Sequence, residues 1–264
     1  MKLSSLIVAS GNIAVILSLL TGCGQIRTAV PSMERVVGIA KESAMERGTW
    51  VPLTAAAVIG VTGSDDNISD WASDNTPIFG SQRKASNRSD DIRDALVAGM
   101  VLSSIFTPTP AADSAFPTRR VATNALAFGT VASIVETGKR TFKRDRPNDA
   151  DDRSFPSGHS AGAFTSAILL EQNLNAAIEQ PWLRRSIKAG ALGSAAAVAW
   201  ARVEAQAHFP VDVLVSEALS NFVVKVFYKT IGSDDQSANP PIACLLYTSP
   251  SPRDRTRSRM PSSA

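Results

Sequence analysis

Cysteine is nearly absent from this chain: Cys23 and Cys244 are the only two among 264 residues. Cys244 lies in a C-terminal segment of foreign composition, which leaves Cys23 alone, so no disulfide framework is expected. Aromatic residues make up only 6% of the sequence, and strict alternation of β-branched and polar residues is scarce. Alanine and leucine dominate the apolar share, and no internal repeat is visible. This composition predicts an all-α domain, folded as a compact helical bundle.

An excess of positive charge is also missing once the C-terminus is set aside. The formal charge of +3 includes four arginines and one aspartate in residues 244–264, where the composition shifts abruptly to Ser, Pro and Arg. The remaining 23 basic and 23 acidic side chains cancel, which argues against a nucleic-acid binder. The segment opens with CLLYTSPSPRD, which resembles the conceptual translation of a sequencing-library adapter; the alternative is a disordered tail.

Long apolar runs are missing after the N-terminus. A bilayer span needs about 20 consecutive apolar residues. The helical candidates between residues 94 and 228 are shorter or are interrupted by polar residues such as Asn124, Glu217 and Asn221. This favours a soluble bundle, although alanine-rich helices could also pack within a membrane.

The first 23 residues contain a lysine and an apolar stretch and end in Leu-Thr-Gly-Cys at Cys23. This ending resembles a bacterial lipobox, in which the cysteine is lipidated and becomes the first mature residue. We therefore expect a signal peptide over residues 1–23, a lipid anchor on Cys23 and a periplasm-facing place in the cell envelope. Gly24 resembles the sorting pattern for the outer membrane. An uncleaved anchor helix and an ordinary secretory signal are alternatives.

The rest of the chain divides into three parts by composition. Residues 24–93 are polar and rich in turn residues, and they are interpreted as an N-terminal extension. Trp71 and Phe79 would anchor this extension on the main domain; a flexible linker is the alternative. Residues 94–232 hold the helical candidates and form the expected main domain, and residues 233–243 form a short tail.

Three stretches contain residue types that suit phosphate chemistry. KRTFKRDRP contains Lys139 and Arg146, and ARVEAQAHFPVD contains Arg202. Positioned cations stabilise a phosphoryl group in transfer, and arginine can bind two phosphate oxygens at once. The third stretch, PSGH, places the hydroxyl of Ser157 and the unhindered backbone of Gly158 at the start of a helix, whose free N–H groups favour an anion.

Both histidines of the chain lie in these stretches: His159 ends PSGH, and His208 precedes Asp212 by four residues. An imidazole suits proton transfer near neutral pH. A carboxylate that held Nδ1–H of His208 would free Nε2 to attack. Together these residues predict a covalent phosphohistidine mechanism without metal. Taken alone, each stretch has a simpler interpretation as a solvated basic loop, a helix cap or a surface salt-bridge set.

In combination the three stretches resemble the type 2 phosphatidic acid phosphatase (PAP2) superfamily, which includes bacterial class A acid phosphatases and vanadium haloperoxidases. The signature is Lys, six residues, Arg-Pro; then Pro-Ser-Gly-His; then Ser-Arg, five residues, His, three residues, Asp. Ala201 departs from it, since the family usually has serine there. The resemblance covers roughly residues 94–228 and implies a helical bundle of the PAP2 and haloperoxidase type.

The resemblance also implies roles for the matching positions. His208 would be the nucleophile, Asp212 its orienting partner, and His159 the acid that protonates the leaving alcohol. The phosphate would be bound by Lys139, Arg146, Ser157, Gly158 and Arg202.

The expected function is metal-independent hydrolysis of a phosphomonoester or diphosphate: a lipid phosphate, a polyprenyl diphosphate or a small phosphoester. No cofactor is expected, and vanadate would be an inhibitor. One alternative is a haloperoxidase that uses vanadate as its cofactor in the same site. Another is a non-catalytic envelope lipoprotein that binds phosphate-bearing lipids.

Overall fold

Helices form the regular structure of the part of the chain that the computed structural model describes, residues 32–108, 116–175 and 177–232. No strand occurs in these ranges, which confirms the predicted all-α class. The chain divides into two units after residue 38, and the description below concerns the larger one. In chain order the helices are α1 (Met33–Ala44), α2 (Arg47–Thr62), α3 (Asp65–Asn75), α4 (Gln82–Phe106), α5 (Phe116–Phe142), α6 (Gly158–Asn175), α7 (Pro181–Glu204) and α8 (Pro210–Phe227), followed by a π-helical turn (Tyr228–Gly232).

Several predictions concern residues outside these ranges. Cys23 with its signal segment, the tail 233–243 and the segment 244–264 all lie outside the described residues. Among the helices that are described, none combines the length and apolar character that a membrane crossing requires.

Helix α6 forms the centre of the bundle. It packs against α4, α5, α7 and α8, and nearly every side chain from Ser160 to Leu169 is buried. Alanines at the contacts, among them Ala163, Ala167 and Ala195, let the neighbouring helices approach closely. The apolar, alanine-rich run that follows PSGH is therefore the core helix, and its first residues lie at the functional end of the bundle.

Helix α3 replaces part of the passage that composition suggested to be turns. Ser69, Ala72 and Ser73 are buried on one face of this helix, and Ala72 belongs to the core cluster shared with α7. Serine, aspartate and asparagine disfavour a helix by only a few tenths of a kcal/mol each, so the packing of this face outweighs their preference. Trp71, one expected anchor, contacts Trp200 with the two rings tilted at 59° and 6.4 Å between ring centroids.

Helix α4 begins well before the segment in which sequence analysis placed it. Ser81 caps the helix by accepting a hydrogen bond from the backbone N–H of Lys84 at 3.2 Å. From there α4 runs without a break to Phe106, so the boundary expected between residues 93 and 94 falls inside a helix. The predicted extension and the predicted main domain therefore share one helix.

A buried carboxylate, that of Glu204, fixes the turn before α4. It accepts hydrogen bonds from the backbone N–H groups of Ile78 (2.9 Å) and Phe79 (3.1 Å) and from the indole N–H of Trp200 (2.6 Å). Such a group is tolerated in a core because its oxygens are bonded. Since Glu204 lies two residues after Arg202, these bonds fix α4 next to the end of α7.

Candidate active site

The three predicted stretches meet where two helices end and two begin. Lys139 lies in the last turn of α5 and Arg202 in the last turn of α7. Ser157 immediately precedes α6, and the backbone N–H of Ser157 bonds to the carbonyl of Asp212, in the first turn of α8, at 3.4 Å. Two helix N-termini and two cations therefore converge, an arrangement that favours a bound anion.

His208 is buried and has a fixed ring orientation. Its Nδ1 lies 2.6 Å from the backbone carbonyl of Ser154. Because a carbonyl can only accept, Nδ1 carries the hydrogen and the neutral ring keeps a lone pair on Nε2. Burial, opposed by Asp212 and reinforced by the charges of Lys139 and Arg202, lowers the pKa of His208 to about 4. The ring is therefore neutral at physiological pH.

Asp212 orients His208 in a different way from the one expected. Its Oδ2 lies 3.8 Å from Nδ1 of His208, too far for a hydrogen bond, and instead accepts from the hydroxyl of Ser154 at 2.5 Å. Oδ2 also accepts from the backbone N–H of Phe209 at 2.9 Å, which caps α8. The predicted direct bond from Asp212 to His208 is wrong in this structure, because the Ser154 carbonyl takes that place. Asp212 and His208 are linked through Ser154.

Arg144 bridges two carboxylates that sequence analysis did not connect. Its guanidinium donates to Asp212 at 2.7 Å and to Asp65, the first residue of α3, at 2.6 Å, and it stacks over the ring of Phe209 at 4.0 Å. Burial, the largest influence, lowers the pKa of Arg144, but the two carboxylates outweigh it and leave the pKa raised. Asp65 further accepts from the backbone N–H of Val211 at 3.0 Å, so it also fixes the start of α8.

The carboxylate of Asp212 is fully buried, and burial, the largest influence, raises its pKa. The hydrogen bonds and positive charges around the carboxylate outweigh burial, so the pKa of Asp212 is lowered. Arg144 supplies one of these charges. Asp212 therefore remains ionised while it is shielded from water.

Lys139 and Arg146 are held by the loop between α5 and α6. Nζ of Lys139 donates to the carbonyl of Arg153 at 2.5 Å. Burial first, and then the charges of Arg146 and Arg153, lower the pKa of Lys139 to about 8. Arg146 pairs with Asp151 at 2.6 Å and also donates to the carbonyl of Ala207 at 3.3 Å, which connects the two site loops.

Arg202 is a buried cation with an unused donor. One terminal nitrogen bonds to the hydroxyls of Ser86 (3.4 Å) and Ser89 (3.2 Å) on α4. Its Nε has no hydrogen-bond partner in the described structure. Burial lowers the pKa of this group. A buried donor without an acceptor is costly, so this nitrogen fits an anion that occupies the site.

His159 is 29% exposed and lies on the α4 side of the site. Its Nε2 lies 2.7 Å from Oδ1 of Asp90, a residue of α4 that sequence analysis placed in the extension. Burial and the charges of Arg202 and Arg93 lower the pKa of His159 to about 4, while Asp90 opposes the shift.

Ser157 and Gly158 lie at the start of α6, and Gly158 is next to Lys139. The hydroxyl of Ser157 is buried and lies 2.9 Å from the hydroxyl of Ser160. A Cβ on Gly158 would make only ordinary contacts, 3.8 Å from the side chains of Lys139 and Val135. The close approach is at Gly138 instead, where a Cβ would lie 2.7 Å from Cδ of Pro156. Gly138 lets α5 pass next to the turn that carries Ser157.

A groove of about 210 Å³ starts at the site and runs between α5 and α6. Lys139 and Gly158 line one end, and Phe128 and Thr165 line the other. At 1.5 Å per helical residue, the distance along α5 from Lys139 to Phe128 is about 16 Å. The intervening wall is mostly apolar and includes Val131, Ala132, Val135 and Ala161.

The match to a known family covers the stretch that contains Lys139, His159 and His208. Residues 134–234 match the PAP2 superfamily. We refer to this matched stretch as the PAP2 segment. The family predicted from the three stretches is thereby confirmed, and Ala201, buried in α7, remains a departure from the family pattern.

Two relatives illustrate the PAP2 likeness. Over 110 residues the chain is 29% identical to the lipid A 1-phosphatase of Porphyromonas gingivalis, a match covering 42% of this chain and 23% of that protein's length. The crystal structure of the transmembrane PAP2 type phosphatidylglycerolphosphate phosphatase from Bacillus subtilis is 21% identical, with a TM-score of 0.49, over 77% of this chain and 98% of that one.

Part of the candidate site lies outside the PAP2 segment. Residues of α3 and α4 bond to Arg144, His159 and Arg202, and none of these contacts was predicted. A lone polar residue on an amphipathic helix carries no sequence signal for a partner more than 60 positions away. The residues concerned are Asp65, Ser86, Ser89 and Asp90.

Proposed function

We propose that this protein is a metal-independent phosphatase that hydrolyses a phosphomonoester or diphosphate through a phosphohistidine on His208. The main support for this proposal is the position of the hydrogen on the His208 ring. The Ser154 carbonyl holds Nδ1–H, so the Nε2 lone pair is available in a buried site that Lys139 and Arg202 make positive. The match of residues 134–234 to the PAP2 superfamily supports the same chemistry.

In the first step, the Nε2 lone pair of His208 forms a bond to phosphorus while the bond from phosphorus to the leaving oxygen breaks. The electron pair of that bond goes to the leaving oxygen, which takes a proton from His159. Arg202, whose Nε lacks a partner, neutralises developing charge on the phosphoryl oxygens together with the other two cations. A bound phosphate dianion would raise the pKa of His159, because a nearby negative charge favours the protonated ring.

In the second step, water attacks phosphorus and gives its proton to His159, now acting as base. The bond between phosphorus and Nε2 breaks, and the electron pair returns to His208. The bridge from Asp212 through Ser154 keeps the ring in the same orientation for both steps. The enzyme is thereby returned to its starting state without a metal or cofactor.

A phosphorylated lipid is the substrate class that the groove favours. The groove begins beside Lys139 and Gly158 and is mostly apolar, so it suits an acyl or prenyl chain attached to the bound phosphate. We expect Ala132→Phe, at an exposed position that lines the groove, to raise KM for a long-chain phosphate and to leave p-nitrophenyl phosphate unaffected. Ser133→Phe, next to it and outside the groove, is the matched control.

The direct test of the activity is phosphate release by the full chain in the presence of EDTA, with His208→Ala as control. Rapid-quench trapping of phosphate on His208 would support the covalent step. Loss of activity in EDTA would refute the metal-free mechanism. Peroxide-dependent bromination after addition of vanadate would favour a haloperoxidase, and the absence of any release from a folded sample would favour a lipid-binding role.

The proposed cellular location depends on Cys23. We propose that lipidation of this cysteine anchors the enzyme in the cell envelope, facing the periplasm, from the outer membrane. Metabolic labelling with a radioactive fatty acid should mark the wild type and not Cys23→Ala. Recovery of both proteins in the soluble fraction would contradict the anchor.

A further inference from the structure

One face of α4 forms the side of the site that holds His159. Ser86 and Ser89 bond to Arg202, and Asp90 bonds to His159. The spacing of three or four residues places these side chains on one helical face. The motifs that define the PAP2 segment contain no residue of this helix.

The geometry at Asp90 determines which nitrogen of His159 can give up a proton. An ionised carboxylate only accepts hydrogen bonds, so Nε2, 2.7 Å from Oδ1 of Asp90, carries a hydrogen directed at Asp90. No described residue bonds Nδ1, and that nitrogen is left to protonate a leaving oxygen. Arg93 holds the same carboxylate oxygen from the other side at 3.5 Å.

The positive charges around His159 oppose its protonation, and the carboxylate of Asp90 counteracts them. The cations Arg202 and Arg93, with burial, disfavour the protonated ring, and Asp90 acts in the opposite direction. A general acid must hold its proton until the leaving oxygen develops charge. Removal of the carboxylate would therefore leave His159 both less well oriented and less often protonated.

We propose that Asp90 is a positioning residue for His159, which holds the ring by its Nε2–H and stabilises the protonated form that assists departure of the leaving group. This role rests on the proposed phosphatase function. Asp90 acts through His159, so its contribution depends on how much the leaving group needs a proton.

The test compares kcat/KM of the full chain for an alkyl phosphate, whose alkoxide is a poor leaving group, and for p-nitrophenyl phosphate, whose phenolate is a good one. This parameter excludes the later hydrolysis of phosphohistidine. Asp90→Asn should lower the alkyl value by about 100-fold or more and the nitrophenyl value by less than about tenfold. In a His159→Ala background the same change should have no further effect.

Asp91→Asn is the matched control, since Asp91 is exposed and pairs with the exposed Arg88. Asp90→Glu, which keeps the carboxylate, should recover part of the alkyl activity. An equal loss for both esters, or a further loss in the His159→Ala background, would overturn the proposal. Failure of the wild type to release phosphate would instead refute the proposed function, so the two failures are distinguishable.

Discussion

The two histidines of the site are held by different parts of the chain. His208 is buried, and Ser154 and Asp212, which fix it, belong to the PAP2 segment. His159 is 29% exposed, and its partner Asp90 lies on α4, outside that segment. The PAP2 segment thus contains the residues that hold the proposed nucleophile, although Asp65, which bonds to Arg144, lies outside it. The surroundings of the proposed acid have to be supplied by the rest of the protein.

The largest expected effect separates the two histidines directly. His208→Ala should lower turnover by about 10⁴-fold or more for every ester, because no other group can form the bond to phosphorus. His159→Ala should retain much of the activity on p-nitrophenyl phosphate, whose leaving group needs little proton donation. Steady-state kinetics on both esters measure the contrast. Equal losses for the two variants on p-nitrophenyl phosphate would remove the distinction between the two sides.

Arg144→Ala should give the next largest effect, on the His208 side. Asp212 would lose its main counter-charge, so we expect about a 10- to 100-fold fall in kcat and a loss of up to about 3 kcal/mol in the free energy of unfolding. Arg144→Lys should recover part of both. Arg140→Ala, which removes an exposed ion pair with Glu136, is the control. Unchanged kinetics and stability in Arg144→Ala would show that Asp212 needs no such partner.

The sequence predicted the family and most helices, but it did not predict several contacts in the candidate site. The spacing of Lys139, His159 and His208 identified the family, because few chains place those residue types in that order. The helical candidates between residues 94 and 228 correspond to helices α5 to α8 and to the second half of α4. The roles of Asp65, Arg144 and Asp90 were missed because each depends on side-chain contacts across distant parts of the chain. The Ser154 carbonyl was missed because backbone groups carry no residue-specific signal.

The third prediction concerns Lys139, a cation that both histidines would share, and the pH dependence of kcat/KM. Lys139 has a pKa of about 8 in the free protein, and the charged form is the one that we propose to bind phosphate. As pH rises through 8 the charge is lost, so kcat/KM should fall by about tenfold per pH unit above that value. Lys139→Arg keeps the charge and should move this alkaline limb upward. A limb that stays in place would assign the titration to another group.

The smallest expected effect concerns the turn that carries Ser157. Gly138→Ala would place a Cβ against Pro156 and should cost about 1–3 kcal/mol of unfolding free energy. Gly129→Ala, also in α5 but with nothing within 4 Å of the new Cβ, should instead be stabilising by about 0.5–1 kcal/mol. Thermal unfolding of both variants measures the difference. Equal stability would show that α5 can move away from the turn.

The bridge from Asp65 through Arg144 to Asp212 limits how far this enzyme can be miniaturised. A chain trimmed to residues 134–234 would keep both histidines and the three cations that we propose to bind phosphate. It would lack Asp65, one of the two carboxylates on Arg144, and Asp90, the carboxylate that bonds to His159. Transplanting the activity into a smaller scaffold would therefore require a segment that starts no later than Asp65, or two grafted acids in its place.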